Sequence, residues 1–317
     1  MFAFCRPFIF LVQFCALMVY LGWPAQAQPP LTIAIIQPYD ISAYNEAVEG
    51  FLAALKEDFN RDFNPVIYDT PQRFYAALTN EKTGSPTARI DLILTVGTEA
   101  TAAVAQKITE IPMVFTMVLD PARILAQRPD IVGASLNISL ELQLNMIKEV
   151  LPAVEKIGII YDPAQNAEVV AQSTALAEKF GLQIKPLPVT SQKELPKALE
   201  QVNDEAEALW GIVDNTVYTS QTAKFMIRET VARRLPFIGL SASYVRAGAL
   251  CALVFDNREI GRQAAQLANQ ILAGAPAAEL RATTPEKISL ALNLRTAELI
   301  GVTIPAEIRA KAAIVYE

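Results

Sequence analysis

Histidine is absent from this chain of 317 residues. Its absence excludes Ser–His and Cys–His nucleophile pairs and removes the commonest metal ligand. The chain also lacks a Ser-x-x-Lys sequence, a phosphate loop and a dinucleotide fingerprint. We therefore interpret Lys82-Thr83-Gly84, which matches a fragment of a penicillin-binding motif, as a turn, and we expect no enzyme, no cofactor and no metal site. Chemistry that uses only carboxylates is the one catalytic class left open.

Positive charge is also scarce. The chain has 27 Lys and Arg against 33 Asp and Glu, a formal net charge of −6, whereas a protein that binds nucleic acid needs a basic face. Hydrophobic residues make up 52% of the chain, which is far too many for a disordered protein. Because domains commonly contain about 100–200 residues, the length predicts two domains.

A single long apolar run occurs, Phe8 to Gly22, behind the lone charge of Arg6. Its 15 residues are fewer than the roughly 20 that a membrane-spanning helix needs. The small-x-small sequence Ala25-Gln26-Ala27 follows it, as at a signal cleavage site. We predict that residues 1–27 are a signal peptide cleaved after Ala27, and an uncleaved N-terminal anchor is the alternative.

Cleavage would leave Cys251 as the one cysteine of the mature chain, so we expect no internal disulfide. It would also remove Arg6, which leaves 26 basic and 33 acidic residues and a net charge of −7. With no second long apolar run, the mature product is expected to be soluble. The periplasm is the expected compartment, because an unanchored binding protein would otherwise diffuse away.

Beyond residue 27, β-branched runs alternate with amphipathic stretches, as in Thr32–Ile36 followed by Ser42–Asp58. The strand runs carry few alternating polar residues, which is typical of a parallel sheet covered on both faces. This alternation predicts a doubly wound α/β fold. Two such series predict two Rossmann-like lobes around a cleft, with residues 28–138 and 250–280 in the N-terminal lobe and residues 139–249 and 281–317 in the C-terminal lobe.

A weak internal repeat relates the two series. Leu92–Thr98 and Leu209–Thr216 each read as a strand that ends in a polar loop, and each leads through a helix to a strand that begins at a proline. Doubly wound sheets bind their ligands at the carboxyl ends of the strands. The two polar loops are therefore candidate ligand-binding loops.

The first polar loop ends in Gly97 and Thr98, where a helix begins. Free backbone N–H groups at a helix N-terminus suit a carboxylate, and the Thr98 hydroxyl is a further donor. Thr116, at the end of the next strand, is a second candidate hydroxyl. The alternative is that Thr98 only caps its own helix.

The second polar loop contains Asp214 and Asn215. A carboxylate there suits an ammonium group, unless Asp214 caps the helix that follows. Together, the two loops predict a zwitterionic ligand between the lobes, with its carboxylate on the first lobe and its ammonium group on the second.

Aromatic residues gather at strand ends and in the following loops. They form either a stacking box for a flat ligand or ordinary packing. In the same way, Asp162-Pro163 is either a ligand loop or a turn. The aromatic set is Tyr39, Tyr44, Phe115, Tyr161, Tyr218, Tyr244 and Phe255.

Segments of the chain, in their order and spacing, resemble the ABC-transporter substrate-binding family whose better-known members are tryptophan-binding-like proteins. The resemblance covers nearly all of the chain after residue 27. The segments that carry it are Gly50-Phe51, Leu92–Thr98, Ile111–Pro121, Ile157–Pro163, Val213–Thr216, Gly248–Gly261, Leu292–Leu294 and Ile300–Pro305.

The resemblance implies a type I periplasmic binding-protein fold, in which two lobes joined by three crossovers close on a ligand about a hinge. It implies a protein, expected to be a monomer, that delivers an aromatic or other amino acid to an ABC permease in the inner membrane. By this resemblance, the ligand-binding positions are Thr98, Thr116, Asp214 and Asn215, with Ser241 and Asp256 near the crossovers.

Two loops depart from the family pattern. Gln37-Pro38-Tyr39 stands where a His-Pro pair is common, and Asn166-Ala167 stands where Asn-Ser is common. Both loops face the cleft in this fold, so Gln37, Tyr39, Tyr161 and Asn166 complete the candidate ligand-binding set. The same departures leave open a ligand other than tryptophan or any amino acid.

Two other functions compete with transport. A periplasmic sensor that reports ligand occupancy to a membrane signalling protein would carry the same residues. A cytosolic repressor shares the core fold, but the predicted signal peptide and the missing DNA-binding headpiece argue against it.

Overall fold

The computed structural model of the protein describes residues 30–78 and 89–317. The predicted signal peptide and the predicted turn at Lys82-Thr83-Gly84 lie outside the described residues. Within those ranges, no helix combines the length and the apolar character of a membrane span. The described chain forms two α/β lobes, each built on its own sheet.

The first lobe contains a five-stranded parallel sheet in the order β2-β1-β3-β4-β5. Helices cover both of its faces, so its central strands are buried and almost continuously apolar, as expected of a doubly wound sheet. The elements are β1 Leu31–Ile36, α1 Ser42–Glu57, β2 Phe63–Tyr68, α2 Pro71–Leu78, β3 Leu92–Val96, α3 Thr98–Ala105, β4 Met113–Val118, α4 Ala122–Gln127 and β5 Val132–Ser135.

The second lobe contains a seven-stranded sheet in the order β12-β11-β10-β9-β8-β6-β7. Strands β6 to β10 are parallel, β11 is antiparallel to β10, and β12 is parallel to β11. The elements after β5 are α5 Leu140–Val150, β6 Lys156–Tyr161, α6 Pro163–Ala177, β7 Gln183–Pro188, α7 Leu195–Glu205, β8 Ala208–Trp210, α8 Ser220–Ala232, β9 Phe237–Ile238, α9 Ala242–Ala247, β10 Cys251–Phe255, α10 Asn257–Leu272, β11 Ile288–Asn293, α11 Leu294–Ile300, α12 Ala306–Lys311 and β12 Ile314–Tyr316.

Helix α10 leaves the second sheet and packs on the first lobe beside α1. The two helices approach closely at Gly50 and Gly261. A Cβ at Gly50 would overlap the backbone carbonyl of Arg258, and a Cβ at Gly261 would overlap that of Ala47. Only glycine allows this approach.

Two expected lobe boundaries are wrong. We assigned residues 250–280 to the first lobe, but β10 pairs with β9 and β11 in the second sheet. Thr283, which we assigned to the second lobe, forms a bridge to Ala134 of β5 in the first. The apolar sequence of a strand predicts that the strand is buried, but it does not predict which sheet the strand joins.

Candidate ligand-binding cleft

The carboxyl edges of the two sheets meet at the chain crossings. The chain leaves the first sheet after Ser135 and enters the second lobe, and it leaves the carboxyl end of β10 at Phe255 to form α10 in the first. The chain returns after Thr283 to begin β11. The loops that follow β1, β3 and β4 therefore face those that follow β6, β8 and β9, and this is where doubly wound sheets bind ligands.

The turn after β3 brings Gly97 against Tyr44 of α1. Gly97 has φ of 87°, and a Cβ at this position would overlap the Tyr44 hydroxyl. Only glycine satisfies both constraints. The Gly97 N–H donates to the carbonyl of Thr116 at 2.9 Å, so it is not available to a ligand.

Thr98 does not cap its own helix, which was the alternative to a ligand role. Its hydroxyl oxygen accepts from the N–H of Leu119 at 3.1 Å and so ties α3 to the loop after β4. The N–H groups of residues 98–100 precede the first helical hydrogen bond, which Thr101 donates to Gly97. They leave α3 with an N-terminus that suits a carboxylate.

The loop after β1 presents a half-exposed aromatic ring. The Tyr39 hydroxyl donates to Oε2 of Glu99 at 2.6 Å, and its ring lies 6.3 Å from that of Tyr44. The hydrogen bond to Glu99 raises the pKa of Tyr39, because ionisation would place two negative charges side by side. The amide of Gln37 donates to Oδ1 of Asn45 at 2.5 Å, so Gln37 holds the loop in place.

Thr116 lies away from the cleft. It shares a sheet face with Val114 and pairs with Val96 and Ala134, whose side chains pack in the core under α1 and α10. Its side chain is fully buried, and its hydroxyl has no hydrogen-bond partner among the described residues. The structure therefore places the Thr116 hydroxyl in the core of the first lobe, and its contact with a ligand stays a prediction.

Beyond Thr116, β4 continues to Val118 through an irregularity in its pairing with β5. Met117 and Asp120 both have positive φ, 59° and 43°. Such conformations cost about 1–3 kcal/mol each and persist only where the surroundings enforce them. They turn Leu119 outward, where its N–H meets Thr98 and its side chain is 36% exposed.

Asp214 accepts hydrogen bonds from two loops of the second lobe. Its carboxylate is 2% exposed and accepts four hydrogen bonds. Oδ2 accepts from the N–H of Asp162 at 2.7 Å and the Asn166 amide at 2.8 Å. Oδ1 accepts from the N–H groups of Thr216 and Val217, both at 2.9 Å. Through these four bonds the buried Asp214 carboxylate holds the loops after β6 and β8 together. Asp214 is therefore not free to pair with the ammonium group of a ligand, as we had expected.

Of the two carboxylates that join the loops after β6 and β8, Asp162 is the more accessible. Its oxygens accept from Thr216 Oγ1 at 2.7 Å, the Ala164 N–H at 2.9 Å and Gln165 Nε2 at 3.2 Å. The Thr216 hydroxyl contributes most to a pKa held below the usual range, followed by Ala164 and Gln165. Asp162 therefore keeps its negative charge in an exposed loop. Asn215 is exposed, and its N–H donates to Gln165 Oε1 at 3.2 Å.

The other predicted ligand-binding side chains form contacts within the protein. Tyr161 ends β6 and packs in part on the second-lobe core. The Ser241 hydroxyl forms a hydrogen bond with that of Ser243 at 2.7 Å. Asp256 caps α10 by accepting from the N–H of Arg258 at 2.8 Å.

The aromatic residues form separate groups and not one box. Tyr218, Phe237 and Tyr244 pack together in the second lobe, with ring centroids 6.2–6.5 Å apart. Phe115 is fully buried. Within the described residues, Tyr39 is the aromatic side chain that is about half exposed at the cleft.

Exposed apolar side chains mark both sides of the cleft. Tyr39 and Ile41 follow β1, Leu119 follows β4, and Val213 follows β8, and they are 36–49% exposed. Hydrogen bonds of Gln37, Thr98 and Asp214 hold these loops in place, so the apolar side chains are presented on fixed backbone. Such a site fits a ligand that has an apolar body.

Several residues that build the site were not predicted from the sequence. Glu99 holds Tyr39, Leu119 meets Thr98, and Gln165 bridges Asp162 and Asn215. No motif marks these residues, because each acts through a partner at least 21 residues away or through an irregular loop.

The family model for ABC transporter substrate binding proteins matches residues 32–316. The chain belongs to this family. The match spans both lobes and all three crossings, so it includes the whole cleft.

Relatives and solved structures agree with this membership. The chain is 22% identical over 271 residues to the tyrosine-binding protein of Clostridioides difficile, covering 82% of this chain and 78% of that one. A Streptococcus domain solved with L-Trp is 21% identical with a TM-score of 0.67, covering 90% and 100%. A ligand-free, open substrate-binding protein from Clostridium difficile is 20% identical with a TM-score of 0.74, covering 90% and 99%. These likenesses confirm the type I periplasmic binding-protein fold.

Proposed function

We propose that residues 28–317 form the periplasmic solute-binding protein of an ABC importer. The match of the family model across residues 32–316 carries this proposal. The two facing loop systems support it, because hinge closure would enclose a ligand and remove its ends from water. A membrane permease with its ATPase would then receive the ligand.

The proposed ligand is a zwitterion with an aromatic or other apolar side chain. Among the described residues, exposed apolar groups follow β1 and β4 on one lobe and β8 on the other. L-tyrosine and L-tryptophan are the first candidates, because one relative is named for tyrosine and one similar structure contains L-Trp.

We place the ligand carboxylate at the N-terminus of α3 and its ammonium group at Asp162. Asp162 is negatively charged and half-buried, and it accepts three hydrogen bonds from the protein, whereas Asp214 is almost fully buried and accepts four. Asp214 then acts indirectly, by fixing the backbone of the loop that carries Asp162. Tyr39 and Val213 would contact the apolar body from opposite lobes.

The test is a thermal-shift screen of the mature protein after unfolding and refolding to remove any bound solute. The screen contains L-tyrosine, L-tryptophan, other amino acids, aromatic acids, purines and sugars. A ligand at a hundred times its Kd adds about 2.7 kcal/mol to the free energy of unfolding. A shift with aromatic amino acids is expected, and a shift with a different class alone would reject the zwitterion while keeping solute binding.

Matched variants locate the site. Val213→Ser is compared with Val315→Ser, because the two valines are 48% and 40% exposed on the second lobe and Val315 lies on the edge strand β12. Only Val213→Ser is expected to weaken binding. Equal affinities in the two variants would place the ligand outside the cleft.

A further inference from the structure

A second concave surface lies in the second lobe between α8, α9 and α11. It encloses about 470 Å³ and is lined by residues of these three helices, with Gly248 and Asn293. We call it the distal pocket. Gly248 precedes β10, whose other end, Phe255, leads to the crossing at the cleft. Five strand residues at about 3.3 Å each place the pocket roughly 17 Å from that edge of the sheet.

Four cations line the distal pocket: Lys224 and Arg228 from α8, Arg246 from α9 and Arg295 from α11. None of the described lining residues is acidic. Arg228 has an ion pair with Glu229 at 3.2 Å, whereas the other three cations have no ion pair within residues 30–78 and 89–317. In a chain of net charge −6, a concentration of unpaired positive charge from three helices favours an anion.

The walls between these cations are apolar. Ile227 and Val231 of α8 face the pocket together with Leu299 of α11, and Leu299 is 58% exposed. Below them, the amide of Asn293 donates to the Val245 carbonyl at 2.7 Å. An internal hydrogen bond therefore fixes the floor of the distal pocket. The rim of the pocket is charged, and its wall is apolar.

We propose that the distal pocket binds a small organic anion that has a carboxylate or phosphate group on an apolar body. The concave shape favours a small molecule, because ligand sites commonly enclose about 300–1,000 Å³. The distal pocket lies at the edge of the sheet opposite the cleft. The anion would therefore bind in addition to the solute that we propose for the cleft.

The test uses phenyl phosphate as the probe in calorimetric titration of mature protein. The pocket variant is Arg246→Gln with Arg295→Gln, since both side chains are exposed and form no ion pair in the described chain. The control is Arg309→Gln with Lys311→Gln, which removes two exposed cations from α12 of the same lobe. We expect Kd to rise about tenfold or more in the pocket variant and to stay unchanged in the control.

Two further comparisons separate the contributions of charge and apolar contact to binding and locate the bound anion. Leu299→Ser is expected to weaken phenyl phosphate but not inorganic phosphate, and benzyl alcohol is expected not to bind. Equal loss of affinity in the pocket and control variants would overturn the proposal, because it would show non-specific attraction to net charge. No saturable binding at millimolar phenyl phosphate would also overturn it. Loss of binding in Val213→Ser with full binding in Leu299→Ser would place the anion in the cleft and reject the distal site.

Discussion

Replacement of Asp214 by asparagine tests the role that the structure gives to this residue. Asp214→Asn keeps the size of the side chain but turns one acceptor oxygen into an N–H donor. Each carboxylate oxygen accepts two hydrogen bonds, one pair from Asp162 and Asn166 and the other from Thr216 and Val217. The new amide group must therefore face one of these pairs of donors.

The expected loss follows from two broken bonds. Hydrogen bonds to a charged group contribute roughly 1.5–3 kcal/mol each, so two lost bonds cost about 3–6 kcal/mol. Relaxation of the loop reduces this figure, and we expect the free energy of unfolding to fall by about 3–4 kcal/mol. Asp256→Asn should cost less than about 0.5 kcal/mol, because the amide oxygen of asparagine can still accept the single cap bond from the Arg258 N–H.

The assay is urea unfolding without ligand, followed by tryptophan fluorescence. Trp210 is the one tryptophan of residues 28–317, is 1% exposed and ends β8, four residues before Asp214. A loss below about 1 kcal/mol for Asp214→Asn would refute the positioning role. Unchanged stability with weakened ligand binding would instead support the direct ammonium contact that we first expected.

Three further outcomes are expected. Gly97→Ala should lower the free energy of unfolding by about 1–3 kcal/mol, measured in urea, and its cost should be smaller in a Tyr44→Ala background by the part due to overlap with the hydroxyl. Thr98→Val should leave Tm nearly unchanged but speed hydrogen exchange at the Leu119 amide, which loses its acceptor. The pKa of Asp162 is lowered from its usual 3.8, so its stabilisation is present above that pH and is lost as pH falls through the lowered value. The difference in Tm between wild type and Asp162→Ala should therefore narrow in acid, and a difference that widens in acid would contradict the reasoning.

Local sequence signals predicted the elements of the fold well. The strand expected over Thr32–Ile36 occurs at Leu31–Ile36, and the helix expected over Ser42–Asp58 occurs at Ser42–Glu57, because an apolar run and a helical period mark them in the sequence. Gly181 ends its helical segment in the left-handed conformation, which glycine adopts without the steric cost of a side chain. The doubly wound fold class is confirmed.

Side-chain roles were harder to predict, because they depend on distant partners. Asp162 and Asn166 reach Asp214 across 52 and 48 residues of sequence, so its burial could not be read from its own loop. The position of Thr116 was predictable in part, because the strand period places it on the same face as the buried Val114. The regular alternation of the strand ends at Met117, which has a positive φ. Nothing in the sequence predicts this conformation, because methionine does not favour it.

The most direct test of ligand capture between the lobes is hydrogen–deuterium exchange of the refolded mature protein, with and without the solute that the thermal screen selects. One ligand should protect amides near residues 97–99 and 119–120 of the first lobe and near 213–217 of the second at the same occupancy. Protection of only one lobe, or of neither loop system, would contradict the account.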